Sequence, residues 1–337
     1  MKTLLPTIAA VLLLASSWRA HGMTSALLTT DRHERGRSRF RFAVCEILLA
    51  IIATTCSYGL AAHPSTTENN DASAVRVMSF NIRYGKADDG PNHWRHRKEL
   101  VLKTVRQFDP DVLGTQEMMG FQADFFRQNL PEHEYHGTSR VPSDKDEEQC
   151  AVFFRKARFE KTQSGHFWLS ETPDVPGSKS WDSSLPRMVS WTQLRERARP
   201  DVDFFVFNTH FDHRGREARL QSATLLRVRI QEIADAAPII LTGDFNSDEG
   251  SLPHQVLLYS TNALGLNDTY RSQYPKRNPK GESTSTRWNG NRSGRRIDWI
   301  LSSPHWRVSA AAIDYANDHG RYPSDHYPVT AVLILAN

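Results

Sequence analysis

The chain has 337 residues, of which 39% are hydrophobic and 24% charged, enough for one large or two small globular domains. The formal net charge is +4, but residues 72–337 hold 35 basic against 33 acidic side chains and are nearly neutral, so they offer no bulk electrostatic attraction to nucleic acid. Cys45 and Cys56 lie near the N-terminus and Cys150 stands alone, which excludes a disulfide framework and a cysteine-based metal site.

The first 62 residues contain two short apolar segments, 4–16 and 47–56, and basic residues precede each of them. Both are shorter than the roughly 20 residues of a membrane-spanning helix, and each has the charged start and short apolar core of a secretory signal. We therefore expect residues 1–62 to be a signal region and the protein to be secreted or periplasmic. Two alternatives stay open: the true start is Met23, or the second segment anchors the protein in a membrane.

A polar stretch over 63–74 is predicted to be a linker, and a single folded domain is predicted over 75–337. Apolar runs and apolar–polar alternation predict strands at 75–82, 111–116, 150–155, 159–167, 188–195, 204–210, 239–243, 297–301 and 329–335. Apolar residues that recur at steps of three and four predict helices at 95–108, 121–130 and 216–236. Strands with helices between them, without an internal repeat, predict sheets covered by helices.

Polar residues follow several of these apolar runs. Gly243-Asp244-Phe245-Asn246 places a carboxylate and an amide at the end of a buried strand. The same position, on or just past an apolar run, is occupied by Asn81, Glu117, His210 and Ser324-Asp325-His326. Side chains that leave strand ends together can converge on one metal ion and one phosphate. Because this set is rich in oxygen donors and lacks cysteine, it suits a hard cation, Mg²⁺ or Mn²⁺.

Taken alone, the segment that begins at Asp244 also has simpler interpretations. It could be half of a calcium-binding loop, although Glu249 stands where that loop needs glycine and Gln255 where it needs glutamate. It could also be a turn held by Asp and Asn side chains. His210 alone would be interpreted as a hydrogen-bonded core histidine.

Six segments, in the family's order, resemble the endonuclease/exonuclease/phosphatase superfamily, which includes deoxyribonuclease I, inositol phosphatases and the carbon-catabolite-repression deadenylases. The segments are 79–83, 109–117, 208–210, 243–246, 296–300 and 324–326. The resemblance implies an α/β (α+β) fold: a four-layered α/β/β/α sandwich in which two mixed β-sheets pack face to face with helices outside. It also implies phosphoester hydrolysis by direct attack of water, with Mg²⁺ or Mn²⁺ as cofactor.

The resemblance implies a role for each matched residue on the metal side of the site. Glu117 would bind the metal ion, with Asn81 and Asp325 close by. Asp244 would position or deprotonate the attacking water, and Asn246 would hold that water or a phosphate oxygen.

On the phosphate side, the resemblance implies that His326 contacts the phosphate and that Asp298 orients it as a carboxylate–imidazole pair. His210 would lie on the opposite side of the phosphate. Glu148 matches the acidic residue that partners this histidine in the deoxyribonuclease I branch, and Arg187 matches that branch's phosphate-binding arginine. A histidine fixed by a carboxylate keeps a raised pKa and can donate to the phosphate.

Two features bear on the substrate. The segment 167–173 resembles the secreted bacterial and deadenylase-like branch, and Asp146 stands where deoxyribonuclease I has a tyrosine that contacts nucleic acid. The loop 271–296 contains eight basic residues and one acidic residue, Glu282. It could hold a polyanion, with Trp288 stacking on a base or sugar. Alternatively, it could be a solvated surface loop.

From these features we expect a monomeric nuclease-type phosphodiesterase that acts on RNA or DNA, including 3′-5′ exonuclease action, without an obligate protein partner. One alternative is a phosphatase or phospholipase-like enzyme acting on inositol phosphates or phospholipid head groups. The other is a non-catalytic binding module on the same fold. The intact set of six acidic, amide and histidine side chains favours an enzyme.

Overall fold

The structure is a computed structural model that describes residues 73–258 and 265–336. The predicted signal region 1–62, the alternative start at Met23 and the linker up to residue 72 lie outside the described residues. In the part of the chain that is described, no helix has the length and apolar character needed to cross a membrane.

Within residues 73–258 and 265–336, twelve strands form two six-stranded sheets. The first sheet contains β1 (Ala74–Asn81), β2 (Val112–Met118), β3 (His133–His136), β4 (Gln149–Arg155), β11 (Trp306–Ile313) and β12 (Val329–Leu335), in the order β11-β12-β1-β2-β4-β3. The second contains β5 (Phe159–Trp168), β6 (Met188–Glu196), β7 (Arg199–His210), β8 (Ile239–Asp244), β9 (Asn267–Asp268) and β10 (Asp298–Ser302), in the order β5-β6-β7-β8-β10-β9. Both sheets are mixed, because β1 pairs with β2 and β7 with β8 in parallel while the other pairs are antiparallel.

Helices cover the outer faces of both sheets. They are α1 (Trp94–Phe108), α2 (Gly120–Asn129), α3 (Arg216–Ala234), α4 (Leu252–Leu258) and α5 (Thr269–Gln273), with a 3₁₀ turn at Gly90–Asn92. Val101 of α1 and Phe126 of α2 pack on Phe80 of the first sheet, while Leu226 of α3 packs on Leu241 of the second. Burial of apolar surface on both faces stabilises each sheet.

A third apolar layer lies between the sheets, where Val77 and Val112 of the first sheet pack with Val206, Ile240 and Ile300 of the second. Together with the outer helices, this inner layer makes the four-layered sandwich, and the fold prediction is confirmed. The sheets approach each other closely at Gly114: a Cβ placed there would lie 2.2 Å from Oγ1 of Thr242 and 2.8 Å from Oδ1 of Asn208.

Strand register brings the predicted site residues to one end of the sandwich. Asn81 is level with Gln116 at the carboxyl ends of β1 and β2, and His210 is level with Asp244 at the carboxyl ends of β7 and β8. Asp298 begins the antiparallel strand β10 opposite Asp244. The carboxyl ends of the two parallel pairs therefore supply the floor of one site.

All of the predicted strands and helices are present, with shifted ends. The sequence missed β3, β9, β11, α4 and α5. Strand β11 reads Trp-Arg-Val-Ser-Ala-Ala-Ala-Ile and has little apolar–polar alternation, and the other four elements have seven residues or fewer. Strand β7 begins at Arg199, earlier than predicted, because its polar start is held by pairing with β6 and not by burial.

Candidate active site

A cavity of about 360 Å³ opens at the strand ends where the two sheets meet. It is lined by Arg83, Tyr84, Glu117, Glu148, Leu185, Arg187, His210, His213, Asp244, Asn246, Asp325 and His326. All the predicted site residues line this cavity except Asn81 and Asp298, and both of these contact residues that do. The structure therefore brings the whole predicted set together; the role of each residue stays a prediction.

Asn81 connects the two sheets beneath the cavity. Its buried Nδ2 donates to Oε1 of Glu117 and to Oδ2 of Asp244, both at 3.0 Å. Its Oδ1 accepts a 3.0 Å hydrogen bond from the backbone N–H of Arg83. Because Asn81 is hydrogen-bonded at both amide atoms and lies outside the cavity lining, we expect it to orient Glu117 and not to bind the ion itself.

Glu117 reaches the cavity through an irregularity in β2. The register with β4 shifts between Thr115 and Met118, and Glu117 has φ = 58°. A left-handed conformation is uncommon for glutamate, and such outliers concentrate at functional sites. Arg83 and Asn246, which also line the cavity, have φ = 59° and 48°. The bulge turns the Glu117 carboxylate toward the cavity.

His326 and Asp298 form the predicted imidazole–carboxylate pair. Nδ1 of His326 lies 2.9 Å from Oδ2 of Asp298, and Nε2 lies 3.8 Å from Oδ2 of Asp244. Burial disfavours the imidazolium, but the carboxylates of Asp298 and Asp244 outweigh it and raise the pKa of His326 well above its usual value. His326 is therefore a cation at neutral pH.

His210, unlike His326, has a neutral imidazole ring. Burial, together with the charges of Arg187 and Arg140, holds the pKa of His210 well below its usual value. Nδ2 of Asn246 lies 3.0 Å from Nε2 of His210 and also donates to the carbonyl of Phe211. The ring is thus neutral and accepts from the amide. Two histidines whose environments separate their pKa values differentiate the two sides of the cavity.

The carboxylates of the cavity lie close enough to repel one another. Burial and the neighbouring Asp298 raise the pKa of Asp244 to about 7, and burial and Glu117 raise the pKa of Asp325. A hydrogen bond from Asn81, with the nearby charge of His326, keeps Glu117 ionised and lowers its pKa against the effect of burial. Such mutual repulsion is the condition that a divalent cation relieves.

The donor set fits a divalent cation. One ligand atom each from Glu117, His210 and Asp244 lie within 4.8 Å of one another, and His210 is the neutral histidine of the cavity. Glu117 and Asp325 are the residues that we expect to hold the ion. A bound Mg²⁺ or Mn²⁺ would polarise a phosphoryl oxygen and stabilise charge on the leaving oxygen.

Arg187 is buried at the wall of the cavity. Its Nη2 lies 2.9 Å from Nδ1 of His213, and its Nε lies 3.5 Å from Oδ2 of Asp212. Asp212 also accepts hydrogen bonds from Ser184 and from the backbone N–H of Gly215. Asp212 therefore both builds the turn after β7 and fixes the guanidinium of Arg187.

Glu148 has a different partner from the one that the family resemblance implies. Its carboxylate receives two 3.0 Å hydrogen bonds from the guanidinium of Arg140, and within the described residues none joins it to His210. Burial and the charge of Glu117 raise the pKa of Glu148 to about 7. The sequence contained no signal for Arg140, because it lies in an irregular loop outside every motif.

Four other lining residues had no assigned role: Arg83, Tyr84, Leu185 and His213. Arg83 and Tyr84 follow Asn81 directly, so the motif around Asn81 could have pointed to them. Arg83 lies 3.8 Å from Asp325 and 3.0 Å from Asp89. From the sequence, His213 could either line the pocket or help to build the turn after His210; it lies in the cavity wall beside Arg187.

Three of the eight basic residues of the predicted basic loop form ion pairs with carboxylates. Arg271 forms ion pairs with Glu249 and Glu282. The buried Arg296 pairs with Asp268 and with Glu249, and Arg277 pairs with Asp248. Asp248, Glu249 and Asp268, which lie outside the loop in sequence, therefore join Glu282 as partners of its basic residues. Trp288 is half-buried, with the Arg97 guanidinium 5.4 Å from its ring centroid.

Comparison with known proteins agrees with this geometry. Residues 78–326 match the Endonuclease/Exonuclease/phosphatase family. The chain belongs to this family. It is accordingly a hydrolase that acts on phosphoric ester bonds, in a family whose enzymes depend on a divalent metal, and the non-catalytic alternative is set aside.

Three relatives illustrate the range of the family. Nocturnin from Rattus norvegicus is 26% identical over 285 residues, which are 75% of this chain and 63% of that protein, so the chain spans under two thirds of this relative's length. The CCR4-Not complex 3'-5'-exoribonuclease subunit Ccr4 from Aspergillus niger is 21% identical over 252 residues, 58% of this chain and 38% of that protein. The structure of a mannosyl-6-phosphatase from Bacteroides thetaiotaomicron is 32% identical with a TM-score of 0.68, over 77% of this chain and 100% of that one.

Proposed function

We propose that this protein is a divalent-metal-dependent phosphomonoesterase that removes a phosphate from a small, sugar-like molecule by direct attack of water. The observation that carries the proposal is the ion pairing of the basic loop. Arg271, Arg277 and Arg296 are bound to carboxylates, so three of the loop's eight basic residues are not free to pair with a nucleic-acid backbone. The similarity to a mannosyl-6-phosphatase supports the same substrate class.

The size of the cavity also supports a small substrate. About 360 Å³ lies within the range of small-molecule sites, and polar side chains converge on it. Arg187 and the protonated His326 supply positive charge to the phosphoryl oxygens. Asp244, with a pKa near 7, is partly ionised at neutral pH and can accept a proton from the attacking water.

In the proposed reaction a water oxygen forms a bond to phosphorus while the bond from phosphorus to the ester oxygen breaks. The water proton passes to Asp244, and Asn246 holds the water or a phosphoryl oxygen in place. His326 remains protonated and stabilises the charge that gathers on the phosphoryl oxygens. The proton that Asp244 accepts returns through solvent water to the leaving oxygen, so the products are inorganic phosphate and an alcohol.

The nuclease-type reaction predicted from the sequence is the second candidate. It is supported by similarity to a 3'-5'-exoribonuclease subunit and by the place of Trp288. The backbone N–H of Trp288 donates to Thr286 Oγ1, and the backbone N–H of Thr286 donates to the carbonyl of Asp325. An aromatic ring so near the cavity could stack on a base. The inositol-phosphate and phospholipid alternatives are tested together with this candidate.

A substrate panel separates the candidates. The full chain, supplied with Mg²⁺ or Mn²⁺, is compared on mannose 6-phosphate, inositol 1-phosphate, p-nitrophenyl phosphate, bis-p-nitrophenyl phosphate, phosphatidylinositol, single-stranded RNA and duplex DNA. Asp244→Asn serves as the inactive control and Arg307→Gln, an exposed charge change on β11, as the matched control. We expect phosphomonoesters to be hydrolysed at least about tenfold faster than diesters, a difference of about 1.4 kcal/mol in the barrier. Faster cleavage of RNA or DNA would instead support the nuclease candidate.

We also propose that the protein acts outside the cytoplasm, because two signal-like segments precede residue 62. We further propose that it acts as a monomer. Mass spectrometry of the protein purified from its native cell tests this proposal. A mature chain that begins near residue 63 is expected. A chain that retains residue 47 onward in the membrane fraction would support the anchored alternative.

A further inference from the structure

A second cavity, of about 450 Å³, adjoins the active-site cavity. Asn246 lines both cavities, so they share a wall at a predicted catalytic residue. Arg216, Arg219 and Arg295 line the second cavity, which we call the arginine pocket. No step of the proposed reaction uses these three arginines.

The arginines of the pocket are not neutralised. In the described parts of the chain, none of the three forms an ion pair with a carboxylate, and the one hydrogen bond of their guanidiniums runs from Arg219 to the carbonyl of Asp212. The two acidic residues of the pocket are engaged elsewhere: Asp248 pairs with Arg277, and Glu217 accepts a hydrogen bond from Gln221. The pocket therefore holds an excess of positive charge.

The three charges also act on one another. Arg219 is half-buried one turn after Arg216 on α3. Burial lowers the pKa of Arg219, and the charges of Arg295 and Arg216 lower it further. Like charges held together at the end of a cavity are stabilised when an anion binds between them.

The opposite wall of the pocket is apolar. Leu252 is 61% exposed and Pro253 lies beside it. A ligand with a carbon skeleton and an anionic group could pack the skeleton on Leu252 and direct the anion to the arginines. The guanidinium group binds phosphate oxygens in a bidentate manner, so three of them favour phosphate.

We propose that the arginine pocket binds a second phosphate of the substrate, so that the enzyme prefers a bisphosphorylated small molecule to its monophosphorylated counterpart. The inference rests on the proposed function, because it requires the first phosphate to lie in the active-site cavity beside Asn246. The three arginines line one pocket of about 450 Å³, which suits one additional phosphate.

Kinetics on matched substrates test the proposal. Glucose 6-phosphate, glucose 1,6-bisphosphate and a phosphodiester-linked RNA oligonucleotide are compared, with the wild type, the double variant Arg216→Gln/Arg295→Gln and Arg307→Gln. Both pocket arginines are exposed, so the double variant is expected to fold. We expect kcat/KM to favour the bisphosphate by about tenfold, the size expected from one hydrogen-bonded charge pair. The preference should disappear in the double variant and persist in Arg307→Gln.

Calorimetry in EDTA keeps the inference testable if no substrate is turned over. We expect the wild type to bind glucose 1,6-bisphosphate about tenfold more tightly than glucose 6-phosphate, and the double variant to bind them equally. Equal binding and equal kcat/KM for the two sugars in the wild type would overturn the inference. So would a preference that the double variant retains, or a stronger effect of the double variant on the RNA oligonucleotide than on the bisphosphate.

The two proposals fail in different ways. If no monoester is hydrolysed but the bisphosphate still binds through the arginines, the proposed function fails and the phosphate-binding pocket stands. If glucose 6-phosphate is hydrolysed well and the second phosphate has no effect on binding or rate, the pocket proposal fails and the phosphomonoesterase stands.

Discussion

Nδ1 of His326 lies 2.9 Å from Oδ2 of Asp298, and the buried carboxylate of Asp298 belongs to the first residue of β10. Across the cavity, the ring of His210 is neutral and accepts a hydrogen bond from Asn246. One histidine is therefore held as a cation and the other as a neutral ring. This difference gives the two sides of the cavity opposite proton-donating properties.

The pairing predicts a change in the pH dependence of Asp298→Asn. The carboxylate raises the pKa of His326, so its removal lowers that pKa and the imidazolium is lost at a lower pH. We expect kcat/KM to fall by about 10²–10⁴ and its alkaline limb to move to lower pH. A pH–rate profile checks this; an alkaline limb at the same pH in the variant and the wild type would contradict it.

Loss of the Glu117 carboxylate should weaken metal binding. Glu117 is kept ionised by Asn81 and reaches the cavity through the bulge in β2. For Glu117→Gln we expect the affinity for Mn²⁺, measured by calorimetry, to fall at least about tenfold. Glu99→Gln, an exposed change of the same charge on α1, is the matched control. Equal Mn²⁺ affinity in both variants would show that Glu117 is not a ligand.

Asp212→Ala should affect both stability and substrate binding. Asp212 is buried, and four neighbouring groups, from Ser184, Leu185, Arg214 and Gly215, donate hydrogen bonds to it. Its removal also leaves the buried Arg187 without its carboxylate, so we expect urea unfolding to show a loss of about 3–5 kcal/mol. KM should rise because Arg187 is no longer held. Asp212→Asn retains hydrogen-bond acceptors and should lose less; equal losses in both variants would contradict this explanation.

Gly114→Ala tests the close approach of the two sheets. A Cβ at this position would lie 2.2 Å from Oγ1 of Thr242, so the sheets would have to separate locally. We expect a loss of about 1–3 kcal/mol in urea unfolding. Gly265→Ala is the control, since its Cβ would meet nothing within 4 Å. A Gly114→Ala variant as stable as the control would show that the sheets are farther apart there.

Two stacked histidines predict a loss of stability in mild acid. The rings of His136 and His166 lie 4.3 Å apart, and burial and the neighbouring ring lower the pKa of His166 to about 3. The unfolded chain binds this proton near pH 6.5 and the folded chain does not, so stability is full above pH 6.5 and falls as the pH decreases toward 3. We expect His166 to account for at most about 2 kcal/mol of the loss between pH 7 and pH 5. Urea unfolding of His166→Gln should show a smaller loss than the wild type.

The sequence predicted the strand-end residues well for a physical reason. Asn81, Glu117, His210 and Asp244 each end an apolar run, and parallel neighbours align such ends at one edge of a sheet. Asp298 and Asp325 were found through the order of the motifs. The sandwich followed from the same resemblance, while its strand boundaries came from apolar patterns.

The parts that the sequence missed depend on contacts between distant segments. Glu148 binds Arg140 and not His210, and His213 joins the cavity only because Arg187 folds against it. The sequence around Arg271 does not indicate its ion pair with Glu249, which lies close to it only in the folded structure. No local pattern encodes these pairings, because each joins loops whose relative position is set by the packing of both sheets.

Metal-dependent hydrolysis of a phosphomonoester, with Asp244 as the proton acceptor, is tested by phosphate release from mannose 6-phosphate. The release is followed in the wild type and in Asp244→Asn as Mg²⁺ is titrated. The predicted result is release that requires the metal, stops when EDTA is added and slows by about 10²–10⁴ in the variant, whose side chain cannot accept the water proton. Release that continues in EDTA, or that proceeds at the same rate in Asp244→Asn, would contradict the account.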